Sequence, residues 1–444
     1  MELKQINTKY IFLVSIASAM GGYLFGFDFA VITGGLPFLR EQFALDAYWE
    51  GFTTGSLALG CILGCLIAGK ISDSFGRRYG LMIAASVFAL SSLLMGIAPG
   101  LGSFIFFRFM AGIGVGMASL LSPVYIAEIA PSSIRGKMVA INQLTIVLGQ
   151  VITHTENYWL RQIGPEAWRW MFGMGVVPSL LFLAGVIFLP ETPRWLIMAK
   201  NDKKAEDILL KIGGKEYAYK TFNEIKGSII NTNDVSFSSI LSRSFFPLLL
   251  TGIGLAVFQQ FCGINVVFNY TTNIFQSIGA SRSEQLIQAV WISLVNLVFT
   301  IVAMNLVDKW GRKPLMLLGA ISLAIIYLIT GYLLKEKNGE GISPFILTAI
   351  AVYAVSLAPV TWILISEIFP NKIRGIASAI AVVSLWVAYF ILVFTFPIIS
   401  KTFGNGAAFW GYSIICIAGF LFILIKVKET KGKSLEEIEH VYIK

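Results

Sequence analysis

Three charged motifs, unlike one another, each occur twice in this chain at nearly one spacing. Asp73-Ser-Phe-Gly76-Arg77-Arg78 returns 235 residues later as Asp308-Lys-Trp-Gly311-Arg312-Lys313. Glu128-Ile-Ala-Pro131-Ser-Ser-Ile-Arg135-Gly136 returns 239 residues later as Glu367-Ile-Phe-Pro370-Asn-Lys-Ile-Arg374-Gly375, and Glu191-Thr192 returns 238 residues later as Glu429-Thr430. Coincidence does not hold three patterns in one register, so the chain reads as two related halves running in parallel.

What lies between the motifs decides the solvent. Apolar residues make up 56% of the chain and charged ones 13%, with a mean hydropathy of +0.75. A soluble domain carries about 25% charged residues, so this chain lacks the charge to cover a water-facing exterior. That argues against a soluble enzyme or a nucleic-acid binder, despite a net charge of +9. A bilayer core takes about 20 apolar residues per helix. Runs of that order fall at 10–34, 49–69, 79–98, 102–127, 138–160, 168–189, 244–277, 285–307, 314–334, 344–366, 375–400 and 406–425. Twelve helices in two sets of six are expected, in an all-α polytopic membrane protein. The first run is too long for a signal peptide and holds Asp28, so it reads as a retained helix.

If the chain starts on the inner side, 26 of its 34 Lys and Arg lie in inner segments and seven in outer ones. Setting aside the long 190–243 segment leaves 17 to seven. Both termini are therefore expected in the cytoplasm, in the cell membrane. The halves should occupy 1–192 and 244–427, with a polar linker at 193–243 and a tail at 428–444. In the linker, apolar positions 205, 208, 209 and 212 form the stripe of a short amphipathic helix, which Gly213-Gly214 should stop.

Only two full charges lie well inside spans, Asp28 in the first and Arg108 in the fourth. Charges there are expensive, and they face a cavity or each other. Burial and a neighbouring guanidinium act on a carboxylate in opposite senses, which leaves Asp28 able to titrate as access alternates. Amides are the other conspicuous group. Gln143 and Gln150 are two helical turns apart on span 5, Gln259, Gln260 and Asn265 flank Gly263 in span 7, and Asn296 stands in span 8. Trp362 follows Pro359 in span 10, where a kink is expected. Neutral donors and acceptors beside an aromatic face suit a polyhydroxylated ring without the penalty of a buried charge.

The ordered motifs resemble those of the sugar porters of the major facilitator superfamily, and are most similar to the bacterial proton-coupled hexose and pentose symporters. Pro123-Val-Tyr-Ile-Ala-Glu128, Pro190-Glu-Thr-Pro-Arg194-Trp195, Gln259-Gln260-Phe-Cys-Gly-Ile-Asn265 and Glu429-Thr-Lys-Gly-Lys-Ser-Leu435 carry the likeness with the repeated motifs, from about residue 10 to about 440. The resemblance implies proton carriage by Asp28, modulated by Arg108. It implies sugar contact by Gln143, Gln259, Gln260, Asn265, Asn296 and Trp362, with Phe25 and Trp386 bordering the cavity and Gln150 beside it. Asn269 stands where the family usually shows the first of two tyrosines, Leu385 where relatives often carry a polar residue, and Lys428 where a proline is usual.

The charged motifs (Asp73, Arg77, Arg78, Glu128, Arg135, Glu191, Arg194, Asp308, Arg312, Glu367, Arg374 and Glu429) are expected to form a cytoplasmic gate of ion pairs that holds the halves together when the outer face is open. The expected activity is import of a monosaccharide with a proton, by a chain functional as a monomer in the lipid bilayer, with no cofactor, metal or nucleic acid. A uniporter is the near alternative, with Asp28 discriminating, and a non-transporting sugar sensor is a further one. A drug–proton antiporter fits the amide density less well.

Three signals are set aside. Gly112-Ile-Gly114-Val-Gly116 lies inside span 4 with no strand before it, so it reads as helix packing rather than a dinucleotide loop. Asn269-Tyr-Thr271 has the form of a glycosylation sequon but sits inside span 7. His154 and Glu156 have no nucleophile, metal set or phosphate loop to accompany them, so no catalysis is expected.

Overall fold

The computed structural model describes residues 6–230, 245–336, 339–370, 373–431 and 437, and not the side chains of 228–230, 308, 339, 340 and 374. The first half is α1 (Thr8–Phe43), α2 (Ala47–Phe75), α3 (Arg77–Gly96), α4 (Leu101–Ile129), α5 (Ser132–Leu160), and the pair α6 (Ala167–Gly173) and α7 (Val176–Ile187). Next come α8 (Pro193–Met198) and α9 (Asp202–Ile230). The second half is α10 (Phe246–Phe261), α11 (Ile264–Gln276), α12 (Arg282–Trp310), α13 (Arg312–Lys335), α14 (Gly339–Val355), α15 (Leu357–Glu367), α16 (Arg374–Phe403) and α17 (Asn405–Lys426).

Taken singly or as broken pairs, eleven of these are long and apolar enough to cross a membrane. Helix α5 is the twelfth span, and it falls below that apolarity because it carries Asn142, Gln143, Gln150, His154, Glu156 and Asn157. A helix lining a polar cavity between neighbours can hold such residues where a lipid-facing one cannot. The protein is a twelve-helix bundle of two pseudo-symmetric halves.

Within the first half, α1 packs on α5 and α2 on α4. Glycine sets the second spacing. A Cβ on Gly60 would stand 2.0 Å from the Phe109 carbonyl oxygen, and one on Gly112 would stand 2.1 Å from that of Leu57. Backbones this close gain dispersion along their whole length, which is how helices associate where lipid is as apolar as they are. The halves meet along α2 with α16, α5 with α12, and α1 with α11.

The sequence repeat is also a backbone repeat. Gly76 (φ 101°) separates α2 from α3, and Gly311 (φ 93°) separates α12 from α13. At the first junction the Glu191 carboxylate accepts from the N–H groups of Arg77 (3.0 Å) and Arg78 (3.1 Å). At the second, Glu429 accepts from Arg312 (3.0 Å) and Lys313 (3.0 Å). Each glutamate thus caps the start of a helix, whose free N–H groups and dipole favour an anion.

In the linker, Ala205, Ile208, Leu209 and Ile212 are all buried, as the stripe required. The stop is only partial. Gly214 turns to φ 77°, and the chain resumes as helix to Ile230. The rest of the expected linker, 231–243, and most of the expected tail lie outside the described residues.

Because α2 and α4 touch at backbone distance, Gly112→Val is expected to separate them. Overpacking of this kind costs about 1–3 kcal/mol or more. The check is the yield of monodisperse protein and its thermal midpoint in detergent, both of which should fall.

Candidate functional site

Asp28 on α1 and Arg108 on α4 are fully buried, each 0% exposed. Arg108 Nη1 donates to Asp28 Oδ1 at 3.4 Å, and Nη2 stands 3.3 Å from Oδ2. The second contact has ion-pair distance without hydrogen-bond geometry, so Asp28 Oδ2 and Arg108 Nε and Nη2 find no hydrogen-bond partner among the described residues. Guanidinium–carboxylate bonds ordinarily close to about 2.7–2.9 Å. The pair is therefore loose, with the guanidinium 5.5 Å from the Phe172 ring centre. A loose buried pair recovers little of its desolvation penalty.

The amides converge from both halves. Between α10 and α11, Gly263 takes φ 86°, and a Cβ there would stand 2.5 Å from the Tyr412 ring. Around this break Asn265 Nδ2 donates to Gln260 Oε1 at 2.5 Å, and Gln260 Nε2 to Gln259 Oε1 at 3.2 Å. Across the halves, Asn296 Nδ2 on α12 donates to Gln150 Oε1 on α5 at 2.9 Å. Gln143, two turns along the same α5 face, is half-buried.

Aromatic rings close one side of this space. Phe25 meets Trp386 edge-on at 5.5 Å, and Phe29 meets Tyr389 at 4.9 Å. Span 10 is broken at Ser356 (φ −120°, ψ −87°), and Trp362 on α15 is 38% exposed. Asn269 does not stand open to the space: it is 0% exposed, donating to the Asn265 carbonyl (2.7 Å) and accepting from the Tyr389 hydroxyl (3.1 Å).

On the side bearing the repeated motifs, the charges pair within each half. Arg77 meets Glu128 at 3.1 Å and Asp73 at 3.2 Å, while Thr192 Oγ1 donates to Glu128 at 2.6 Å. In the second half Arg312 meets Glu367 at 3.5 Å, and Thr430 Oγ1 donates to Glu367 at 2.7 Å. Arg78 donates to the Val186 carbonyl, Arg135 is exposed and reaches the Ala130 carbonyl, and Arg194 is exposed. The side chains of Asp308 and Arg374 lie outside the described residues. These pairs bind helices of one half to one another; the clamp expected from the sequence belongs to the state with the outer face open.

Besides the amide and ring contacts above, a further set of contacts bridges the halves on the opposite side, and sequence reasoning missed it. Arg40 on α1 holds Glu50 through two bonds of 2.9 and 2.7 Å and also reaches Asn273 (2.5 Å) and Gln276 (2.9 Å) on α11. Asn273 donates to Glu50 in turn, and Arg282 pairs with Glu41. Deeper in, Thr33 Oγ1 donates to the Phe268 carbonyl at 2.6 Å and Thr272 Oγ1 to the Thr33 carbonyl at 3.2 Å. The partners are more than 200 residues apart, and no local pattern signals them.

Among the described residues, no cluster of three or more His, Cys, Asp or Glu could hold a metal ion. The chemistry available is a titratable carboxylate in a sealed pair beside a set of neutral hydrogen-bonding amides.

Residues 14–442 match the family model described as "Sugar (and other) transporter". The chain is 37% identical over 480 residues to the D-xylose-proton symporter of Escherichia coli (strain K12), covering 99% of this chain and 97% of that protein. It is 36% identical over 443 residues to the arabinose-proton symporter of Bacillus subtilis (strain 168), covering 98% and 96%. Among solved structures, the inward open xylose transporter XylE from E. coli matches with a TM-score of 0.86 at 37% identity, over 98% of this chain and all of that one. The same symporter bound to 6-bromo-6-deoxy-D-glucose gives 0.84 at 37% identity, over 98% and 100%.

The two capping glutamates differ in acidity. Burial lifts Glu191 above the ordinary glutamate value of 4.5, against the pull of its N–H donors. Burial also works on Glu429, but N–H groups from Arg312, Lys431, Lys313 and Thr430 outweigh it and hold the carboxyl below 4.5. Glu429 therefore contributes stability that is present above that value and lost as the pH falls through its own lower one. The contribution of Glu191 has the opposite sense and declines as the pH rises. At about pH 7, Glu429→Gln should lower the thermal midpoint more than Glu191→Gln does; the reverse order would contradict this assignment.

Proposed function

Since this chain belongs to the sugar transporter family, we propose that it imports a hexose or pentose together with a proton by alternating access. The observation that carries the coupling is the loose, fully buried Asp28–Arg108 pair between α1 and α4. Two of the relatives described above are named as proton symporters of pentoses. In this reading Asp28 carries the proton and Arg108 sets how readily it is held, since protonation of Asp28 leaves the guanidinium without its counter-charge.

The sugar is held by Gln143 and Gln150 from the first half and by Gln259, Gln260, Asn265, Asn296 and Trp362 from the second, with Phe25 and Trp386 against its C–H face. Asn269 acts from behind that wall. The protein works as a monomer in the cell membrane, with the motif side and both termini in the cytoplasm, as the Lys and Arg distribution supports. The halves 1–192 and 244–427 rock about the cavity, and the linker 193–243 spans them on the cytoplasmic side. The tail at 428–444 lies on the same side. The conformation described here is tied shut on the outside by Arg40, Glu50, Asn273 and Gln276. In the opposite state the motif charges, Arg135 and Arg374 among them, supply the cytoplasmic gate.

The deciding experiment is uptake of labelled glucose, galactose, xylose, arabinose and fructose into proteoliposomes, with and without an inward proton gradient. One sugar should accumulate above equilibrium, and only with the gradient. Asp28→Asn should abolish accumulation while retaining gradient-independent sugar exchange. Accumulation surviving in that variant would reject Asp28 as the carrier, and equilibration indifferent to the gradient would make the protein a uniporter.

Arg40→Ala should shift the population toward the outward-open state. Losing hydrogen bonds to a charged group costs about 1.5–3 kcal/mol, and about 1.4 kcal/mol is a tenfold change in a two-state ratio. Labelling of a single cysteine placed in the outer half of the cavity reads that shift.

A further inference from the structure

Tyr389 on α16 is a large polar side chain that bonds to Asn269 of the second half and lies in the field of Asp28 and Arg108. Its ring packs on Phe29 at 4.9 Å and Trp386 at 5.8 Å, and the residue is 1% exposed. The hydroxyl feels both Asp28 and Arg108 and donates to Asn269 Oδ1 at 3.1 Å. Asn269 in turn donates to the backbone carbonyl of Asn265 at 2.7 Å, and the Asn265 side chain donates to Gln260 at 2.5 Å, which donates to Gln259. A hydrogen-bonded path therefore runs from Tyr389, which packs on Phe29 of α1, through Asn269 to three amides of the second half, and the charge pair acts on the phenol through its field rather than through a hydrogen bond.

From this path we infer that Tyr389 and Asn269 form a positioning pair that transmits the protonation state of Asp28 to the sugar-binding amides of α10 and α11. The inference rests on the reading of Asp28 as proton carrier. With Asp28 ionised, its charge and that of Arg108 largely cancel at the phenol. With Asp28 protonated, Arg108 is an unbalanced cation; it attracts the phenol oxygen and drives the hydroxyl hydrogen toward Asn269. The Tyr389–Asn269 bond then tightens and holds the Asn265 carbonyl, and with it the Asn265–Gln260 bond, in one arrangement. Sugar affinity rises when the proton is bound and falls when it leaves, which is the order a symporter requires. The other titratable groups facing Tyr389 are Cys61 from α2 and Tyr270 from α11. Neither changes charge near neutrality in the absence of a base, so Asp28 and Arg108 supply the field that changes.

The substitution of asparagine for the family's usual tyrosine at 269 gains a physical account from this geometry. The phenol that would extend from α11 is replaced by one extending from α16, and the shorter amide at 269 makes room for it and accepts its hydrogen bond.

The test is equilibrium binding of radiolabelled D-xylose and D-glucose to purified wild type, Tyr389→Phe, Asn269→Ala and the double variant. It is read at about pH 6 and about pH 8, on either side of neutrality, beside gradient-driven uptake in proteoliposomes. Wild type should bind its sugar more tightly at the lower pH. Removing the hydroxyl should flatten that dependence by roughly fivefold, the equivalent of one hydrogen bond. Asn269→Ala should do the same, and the double variant should lose no more than either single change. An unaltered pH dependence in Tyr389→Phe overturns the assignment while leaving the symport reading intact. So does uniform weakening at both pH values, which marks a packing role. Wild type that binds sugar without accumulating it under a gradient overturns the symport reading itself, and this inference with it.

Discussion

A full charge between transmembrane helices is tolerated only while its counter-charge stays beside it and water stays away. In this protein that condition governs the first half of the bundle. Asp28 and Arg108 come from helices 80 residues apart in sequence, and the Phe172 ring covers the guanidinium. Yet the pair is not drawn to its optimum. Three of its polar atoms have no hydrogen-bond partner among the described residues, so the site is held together by its surroundings more than by its own bond. An arrangement of that kind is easy to perturb: any motion that admits water, and any proton that arrives with it, changes the balance by several kcal/mol. Alternating access supplies the motion.

The two halves share their backbone plan but divide the chemistry. The repeated glycine turns and capping glutamates are nearly superimposable in kind, at Gly76 with Glu191 and at Gly311 with Glu429. The buried charges belong to the first half. The helix breaks at Gly263 and Ser356, with most of the amides, belong to the second. Separation of this sort has a physical use. A sugar is a neutral ligand that needs many weak donors and acceptors in an adjustable frame, and broken helices supply adjustable frames. A proton carrier needs a fixed, dry position. In the proposed symport, drawing the proton site from one half and most of the amides from the other lets a rocking motion change one without dismantling the other.

Much of this was legible in the sequence because the responsible interactions are local or compositional. The twelve spans follow from apolar run length, and the linker stripe at 205, 208, 209 and 212 from helical period. The pairing of Asp28 with Arg108 follows from the cost of leaving either alone. Three things were not legible, for distinct reasons. The motif charges were expected to clamp the halves when the outer face is open, but which partners they take in the present conformation is set by which helix ends adjoin, and here Arg77 and Arg312 pair within their own half. The Arg40–Glu50–Asn273 cluster joins residues whose neighbourhood depends on the approach of α1 to α11, which no spacing encodes. The Asn269–Tyr389 bond was hidden because Asn269 reads as a lost tyrosine until α16 is seen to supply the phenol.

The two sets of surface charges then have complementary tasks. On the side opposite the motifs, Arg40 links α1 and α2 to α11 in a partly buried network, where its bonds exceed the 0–1 kcal/mol typical of exposed pairs. On the motif side, Arg77–Glu128 and Arg312–Glu367 tie helices of the same half to one another. A transporter has to keep both states within a few kcal/mol of each other, since a deep minimum on either side would trap it. A firm latch on one side, set against motif charges on the other that include the exposed Arg135, bonded to the Ala130 carbonyl, meets that requirement. In the proposed symport, binding of proton and sugar supplies the free energy that tips this balance.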